Sequence, residues 1–177
     1  MAYLKKDFLA KIGRLELENI IMNSLNKDYS LKIYKIKKVK TPERDGKNAG
    51  FDFFIPSNFN NNKELKIKPN ESIIIDSGIK VKIPENHAFV AFNKSGICTK
   101  LGLQVGANVI DENYTGEIHF HLINTTNKNV YIKSNMKIIQ FLLIPMNYAK
   151  IKEVFKEEDM NYCYKERGSK GFGSTGI

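Results

Sequence analysis

The sequence is poor in the residues that staple or metallate small proteins, with two cysteines (Cys98 and Cys163) and three histidines (His87, His119 and His121) among 177 residues. Two cysteines in a chain of this length do not make a disulfide framework, and no C-x-x-C or H-E-x-x-H spacing occurs, so neither a disulfide scaffold nor a zinc site is expected. A reducing compartment follows, and the cytoplasm is the simplest address. No apolar run approaches the roughly 20 residues of a membrane-spanning helix. The N-terminus lacks a compact apolar stretch ending in small residues, and Asp7, Glu16 and Glu18 do not suit a transit peptide. Acidic charge is also short: 19 Asp and Glu against 28 Lys and Arg give +9, which favours an anionic partner. The lysines are scattered among Asn and Ile rather than gathered with aromatics, so direct nucleic-acid binding is not expected.

What is present suffices for one core. Hydrophobic residues make up 42% of the chain and charged residues 27%, the balance of a globular domain. Residues 3–25 carry Leu4, Phe8, Ile12, Leu15, Ile21 and Leu25 at helical intervals and read as an amphipathic helix. From residue 31 the period changes to two, in Leu31/Ile33, Leu65/Ile67, Ile79/Val81/Ile83 and Ile118/Phe120/Leu122, as in half-buried strands. Ile73-Ile74-Ile75 and Ile138–Ile144 are continuous apolar runs that read as strands buried on both faces. Short strands between Asn, Gly and Pro loops predict an all-β sandwich, jelly roll or barrel. The Asn-rich stretch Ser57–Lys63 reads as a turn.

The C-terminal run Arg167-Gly168-Ser169-Lys170-Gly171-Phe172-Gly173-Ser174-Thr175-Gly176 is the most unusual segment. Its glycines satisfy G-x-G-x-x-G, but the dinucleotide fingerprint needs a helix after it and the sequence stops at Ile177. A Walker loop is excluded by the missing Gly-Lys-Ser/Thr. A glycine-rich tail with hydroxyls, Arg167 and Phe172 has the chemistry to wrap a polyphosphate and stack on a base. Three internal segments accompany it. Gly50-Phe51-Asp52 places a carboxylate after a glycine, Asn93-Lys94-Ser95-Gly96 groups a cation, a hydroxyl and a glycine at a loop, and Val109–Ile118 reads as a hairpin with Asp111 leaving its first strand and Tyr114 near its turn.

In this order, with Lys137-Ile138-Ile139-Gln140 before the tail, these segments resemble the five motifs of the trimeric dUTP pyrophosphatase (dUTPase) family over residues 31–177. The resemblance implies a jelly-roll (β-clip) subunit with an added N-terminal helix, assembled as a homotrimer. Its parts would be a helical extension at 1–29, a β domain at 30–160 and an arm at 161–177 that closes a neighbour's active site. It implies hydrolysis of dUTP to dUMP and pyrophosphate with Mg²⁺ held through phosphates and waters rather than by protein ligands. Asp111 would activate the attacking water, with Asp52 supporting the water and metal region. Tyr114 would pack on the deoxyribose and Phe172 would cover the uracil. Lys94, Ser95, Gly96, Gln140, Arg167, Gly173, Ser174 and Thr175 would line the phosphates, and Val105, Asn108 and Ile110 the base.

Four positions depart from the family pattern, one of them Lys170, which replaces a common tail glycine and adds a phosphate contact at a cost in flexibility. Val105 stands where an asparagine is usual and Asn108 where a glycine is, which shifts uracil reading onto backbone groups; Lys94 replaces an arginine and loses its planar fork. The related dCTP deaminases are the nearest rival reading, but they carry a catalytic glutamate where this chain has His121, and without it proton shuttling at cytosine lacks its agent. A regulatory or protein-binding module using the helix at 3–25 is the non-enzymatic alternative. His119 and His121 lie on one strand and read as structural or surface residues.

Overall fold

The computed structural model describes Gly13, Glu16 and residues 29–160. The remainder of the expected helix at 3–25, Cys163 and the arm residues Arg167, Phe172, Gly173, Ser174 and Thr175 lie outside the described residues. The chain divides into two compact units, residues 1–146 and 147–177. The described part of the second unit has no strand and ends in a 3-10 turn at Glu157–Met160.

The described residues of the first unit form eleven short strands: β1 (Lys32–Lys35), β2 (Phe51–Phe54), β3 (Leu65–Ile67), β4 (Ser72–Asp76), β5 (Ile79–Lys82), β6 (His87–Phe92), β7 (Leu103–Val105), β8 (Val109–Ile110), β9 (His119–Asn124), β10 (Val130–Ile132) and β11 (Lys137–Pro145). They pair antiparallel into a four-stranded sheet ordered β2-β11-β6-β8, a three-stranded sheet β4-β9-β7, and the ribbons β1-β5 and β3-β10. Alternation decides which face is inside: in β5 Ile79 and Val81 are buried while Lys80 and Lys82 are exposed. Phe120 and Leu122 of β9 are buried in the same way.

Aromatic packing fills the centre. Phe53, Phe89, Phe120 and Phe141 are fully buried, and Phe141 lies 4.8 Å from Phe53 and 4.9 Å from Phe89, ring centre to ring centre. The buried Asn124 fastens a corner between sheets: its Nδ2 donates to the carbonyls of Ile67, Lys68 and Lys128 at 3.1, 2.9 and 2.8 Å, and its Oδ1 accepts from Thr126 N–H and Oγ1.

Three expectations are corrected. Ile74 is 68% exposed, so the isoleucine run of β4 is buried on one face only, and Leu142, Leu143 and Ile144 of β11 are half-buried. Ser95 and Gly96 open a helix, α1 (Ser95–Leu101), rather than sitting in a loop; seven residues are too few for periodicity to announce it. Val109–Ile118 is not a hairpin. β8 pairs with β6, and the chain then crosses to the other sheet, where Ile118 N–H donates to the Ile79 carbonyl at 2.9 Å and β9 pairs with β4 and β7. The Asn-rich turn holds Asn60, Asn61 and Asn62 at positive φ, a conformation asparagine tolerates.

Candidate active site

The register of the four-stranded sheet sets the first half of the site. Gln140 of β11 lies opposite Asp52 of β2 on one side and Phe92 of β6 on the other, so these three residues form one row across the sheet. A register shift between Lys137 and Ile139 buries both Ile138 and Ile139 and breaks strict alternation, so Lys137 and Gln140 line the same cleft. That cleft has a volume of about 770 Å³ and is walled by residues 43–45, 48–50, 52, 92–94, 137, 140 and 142.

Charge in the cleft is paired. Lys94 Nζ donates to both carboxylate oxygens of Asp52 at 2.8 Å, with the two side chains 29% and 20% exposed. Lys137 Nζ contacts Glu43 and approaches Asp52 Oδ2 at 3.7 Å, and the Glu43 carboxylate holds the Lys137 ammonium pKa above its usual value. Glu43 and Asp52 are tied through their backbones, each N–H donating to the other's carbonyl at 3.1 and 2.7 Å. Arg44 stacks its guanidinium 4.7 Å from the centre of the Phe51 ring. Gln140 Nε2 donates to the Asn93 carbonyl at 2.8 Å, and Gly50 leaves it room: a Cβ there would lie 2.6 Å from Gln140 Oε1.

From Asn93 the network runs to the segment where a base is expected. Asn93 Oδ1 accepts from Val105 N–H at 2.7 Å, and Ala91 N–H donates to the Asn108 carbonyl at 2.7 Å. Ser95 and Gly96 are exposed at the start of α1, and nothing stands within 4 Å of a Cβ placed on Gly96.

Asp111 and Tyr114 form a second cluster. Ile110 is opposite Phe89, and antiparallel β8 carries Asp111 one step further from Phe92, so in one chain Asp111 lies about four residues along the sheet from the Asp52–Gln140–Phe92 row, roughly 13 Å. Asp111 is exposed, its carbonyl accepts from Tyr114 N–H at 3.1 Å, and Tyr114 Oη donates to the Glu117 carbonyl at 2.8 Å. Tyr114 remains 41% exposed. The structure therefore brings Asp52, Lys94 and Gln140 together and leaves Asp111, Ile110 and Tyr114 apart from them. Glu43, Arg44, Asn93 and Lys137 belong to the cleft without having been assigned roles from sequence. Their signal was adjacency, since Glu43-Arg44 precedes the first motif and Lys137 opens the fourth.

Asp76, Glu117 and His119 place ligand atoms within 4.8 Å of one another, but Lys37 Nζ already holds Asp76 at 2.8 Å and Glu117 at 3.4 Å. These residues read as an ion-pair cluster. No helix among the described residues is long and apolar enough to cross a membrane.

A family model for dUTPase matches residues 37–176. The deoxyuridine 5'-triphosphate nucleotidohydrolase of Clostridium kluyveri is 37% identical over 130 residues, which cover 72% of this chain and 83% of that protein. The enzyme of the same name from Clostridium tetani is 34% identical over 153 residues, 84% of this chain and 98% of that protein. In the solved dUTPase of Staphylococcus bacteriophage 80alpha with dUPNHPP, the fold agrees with a TM-score of 0.71 at 24% identity, covering 84% of this chain and 99% of that one. The jelly-roll arrangement of short strands, the cleft around Asp52 and a family match running from before the first motif into the terminal tail all agree: the chain belongs to the dUTPase family.

Proposed function

We propose that this protein hydrolyses dUTP to dUMP and pyrophosphate, as a homotrimer in which each active site is assembled from more than one subunit. The observation that carries the assembly is the separation within one chain of the Asp52–Lys94–Gln140 cleft from Asp111 and Tyr114. A single nucleotide meets both groups when the cleft of one subunit faces the Asp111 segment of another. Ile74, 68% exposed in an isoleucine run, is the kind of apolar surface that a neighbouring copy covers.

In this site the triphosphate enters the cleft, where Lys94, Ser95 and Gln140 supply a cation and hydrogen-bond donors. Asp111, exposed and able to reach a bound water, takes its proton as that water attacks the α-phosphorus. The barrier falls mainly through positioning and electrostatics. Tyr114 supports the sugar. The base meets the backbone of residues 103–109, because Val105 has no side-chain polar group to offer. The donor set suits Mg²⁺: Asp52 presents hard carboxylate oxygens at the cleft, both engaged by Lys94, so a cation carried on the phosphates and reached through water fits better than direct ligation. When bound, it would offset charge on the triphosphate.

The domain reading follows the same plan. Residues 30–160 form the β domain, and 161–177 act as an arm whose Arg167, Phe172, Gly173, Ser174 and Thr175 close a neighbour's site. Residues 1–29 precede the stretch matched by the family model, 37–176, and serve assembly or a protein partner. The test is incubation with dUTP, dCTP, dTTP and UTP in Mg²⁺ with product identification. Release of pyrophosphate from dUTP, with the other three much poorer, is expected. Ammonia release from dCTP without cleavage of dUTP refutes it in favour of a deaminase.

A further inference from the structure

We infer that His121 is a positioning residue for base recognition: it holds the Val105–Asn108 loop through hydrogen bonds from two consecutive amides, and so sets how well uracil is told from cytosine. This rests on the dUTPase reading, which makes that loop the base-contacting segment.

The loop is pinned residue by residue. Val105 N–H is held by Asn93 Oδ1 at 2.7 Å, Gly106 N–H by the His121 carbonyl at 2.9 Å, Ala107 N–H by His121 Nδ1 at 2.9 Å, and the Asn108 carbonyl by Ala91 N–H at 2.7 Å. Two of the four ties come from His121, and among the described residues only Asn93 and His121 hold the loop by side chains. Packing enforces the arrangement, because a Cβ on Gly106 would lie 2.1 Å from His121 Nδ1 and 2.4 Å from Cε1. The imidazole lies between loop and sheet, half-buried on β9 opposite Ile74.

Two chemical consequences follow. An N–H donor at Nδ1 requires a lone pair there, so the neutral ring carries its proton on Nε2. With the N–H groups of Val105, Gly106 and Ala107 and the Asn108 carbonyl committed, a base has the Asn108 N–H and the remaining loop carbonyls to pair with. Uracil, with its N3–H donor and O4 acceptor, matches such a pair, whereas cytosine reverses both polarities. With Val105 where a side-chain amide is usual, discrimination depends on the loop staying in register, and His121 fixes that register without touching the nucleotide.

The test compares wild type, His121→Leu and His121→Asn. Asparagine offers an acceptor near the Nδ1 position and leucine offers none. Leaving the Ala107 N–H unpaired should raise the KM for dUTP about 5- to 30-fold in His121→Leu, with kcat within about twofold and preference for dUTP over dCTP reduced. His121→Asn should recover most of the KM. Dissociation constants of dUMP and dCMP by calorimetry should follow the same order. Nitrogen NMR of the wild type should show His121 as the Nε2–H tautomer, a readout that survives even if a variant fails to fold. An Nδ1–H tautomer, an unchanged KM and preference in His121→Leu, or no recovery in His121→Asn each overturns the inference. Wild-type protein that leaves dUTP intact refutes the functional reading instead. The tautomer and the ordering of dUMP and dCMP affinities would then still judge the role of His121.

Discussion

Replacing Lys94 by methionine tests the charge balance of the cleft directly. The ionisable residues lining it are Glu43, Asp45 and Asp52 against Arg44, Lys94 and Lys137, three of each sign. Lys94→Met keeps the aliphatic stem but leaves the cleft with one net negative charge. Asp52 is then left with Lys137 at 3.7 Å as its nearest cation. A triphosphate loses a charge-assisted hydrogen bond, about 1.5–3 kcal/mol, so kcat/KM for dUTP should fall about 10- to 150-fold, chiefly through KM. The loss should exceed that for dUMP inhibition, because the monophosphate brings less charge. Stability should fall as well, since the carboxylate of a mostly buried pair loses its bidentate partner. Asp52→Asn in the same chain should restore stability without restoring turnover, which separates the two effects. Steady-state kinetics at low and high salt, with urea unfolding of each variant, are the assays. A Lys94→Met protein within twofold of wild type in kcat/KM at low salt would refute the placement of the phosphates in this cleft.

Asp111→Asn should lower kcat by about 10²- to 10⁴-fold while changing dUMP affinity little, as expected for a lost general base; an unchanged kcat rejects the assignment. Asn124→Ala should cost about 2 kcal/mol or more in urea unfolding, because it strips the donor from the buried Ile67 carbonyl and from those of Lys68 and Lys128, and the acceptor from Thr126; a loss under about 1 kcal/mol would show that water replaces them. Asp76 is held below the usual aspartate pKa, first by its hydrogen bond from Lys37, and burial only partly opposes this. A carboxyl whose pKa is depressed on folding adds stability that is present above its unfolded value and is lost as pH falls through the folded one. For so exposed a pair the contribution is under about 1 kcal/mol. A carbon-detected NMR titration should show the low midpoint, and Lys37→Met should raise it; no change with Lys37→Met contradicts the cause.

The strands were legible because alternation is a local signal. Ile79/Val81/Ile83 and Ile118/Phe120/Leu122 could be assigned an inside and an outside without knowing their partners. Pairing was not legible in the same way. Nothing in Val109–Ile118 says that β8 joins β6 while Ile118 joins Ile79, since both choices bury the same apolar residues. The helix α1 was hidden by its length. Within the site, Asp52, Lys94 and Gln140 were found through the order of motifs, and the structure adds why they meet: one sheet row and one irregularity in β11. Lys137 illustrates the limit, because strict alternation puts residues 137 and 140 on opposite faces, and only the register shift brings both to the cleft. Asn93 and His121 were invisible as functional residues because each acts through backbone amides of another segment.

The distance between the Asp52–Lys94–Gln140 cleft and Asp111 yields a prediction about assembly that activity of single variants cannot give. If each site takes its Lys94 from one subunit and its Asp111 from a neighbour, then Lys94→Met and Asp111→Asn chains are defective for different reasons and can complement each other. In a trimer assembled at random from equal amounts of both, a site is intact when a chain with Lys94 is followed around the ring by a chain with Asp111. That arrangement occurs at about one site in four, so at dUTP concentrations well below KM, where the Lys94→Met defect shows, co-expressed variants should recover about a quarter of the wild-type kcat/KM. Sites contained within one chain would recover nothing, because every chain lacks one of the two groups. Co-expression with distinct tags and purification of mixed assemblies separates these outcomes. A mixed trimer no more active than the better of its two parents would mean that Asp111 reaches the phosphates of its own chain, against the roughly 13 Å that the strand register places between them.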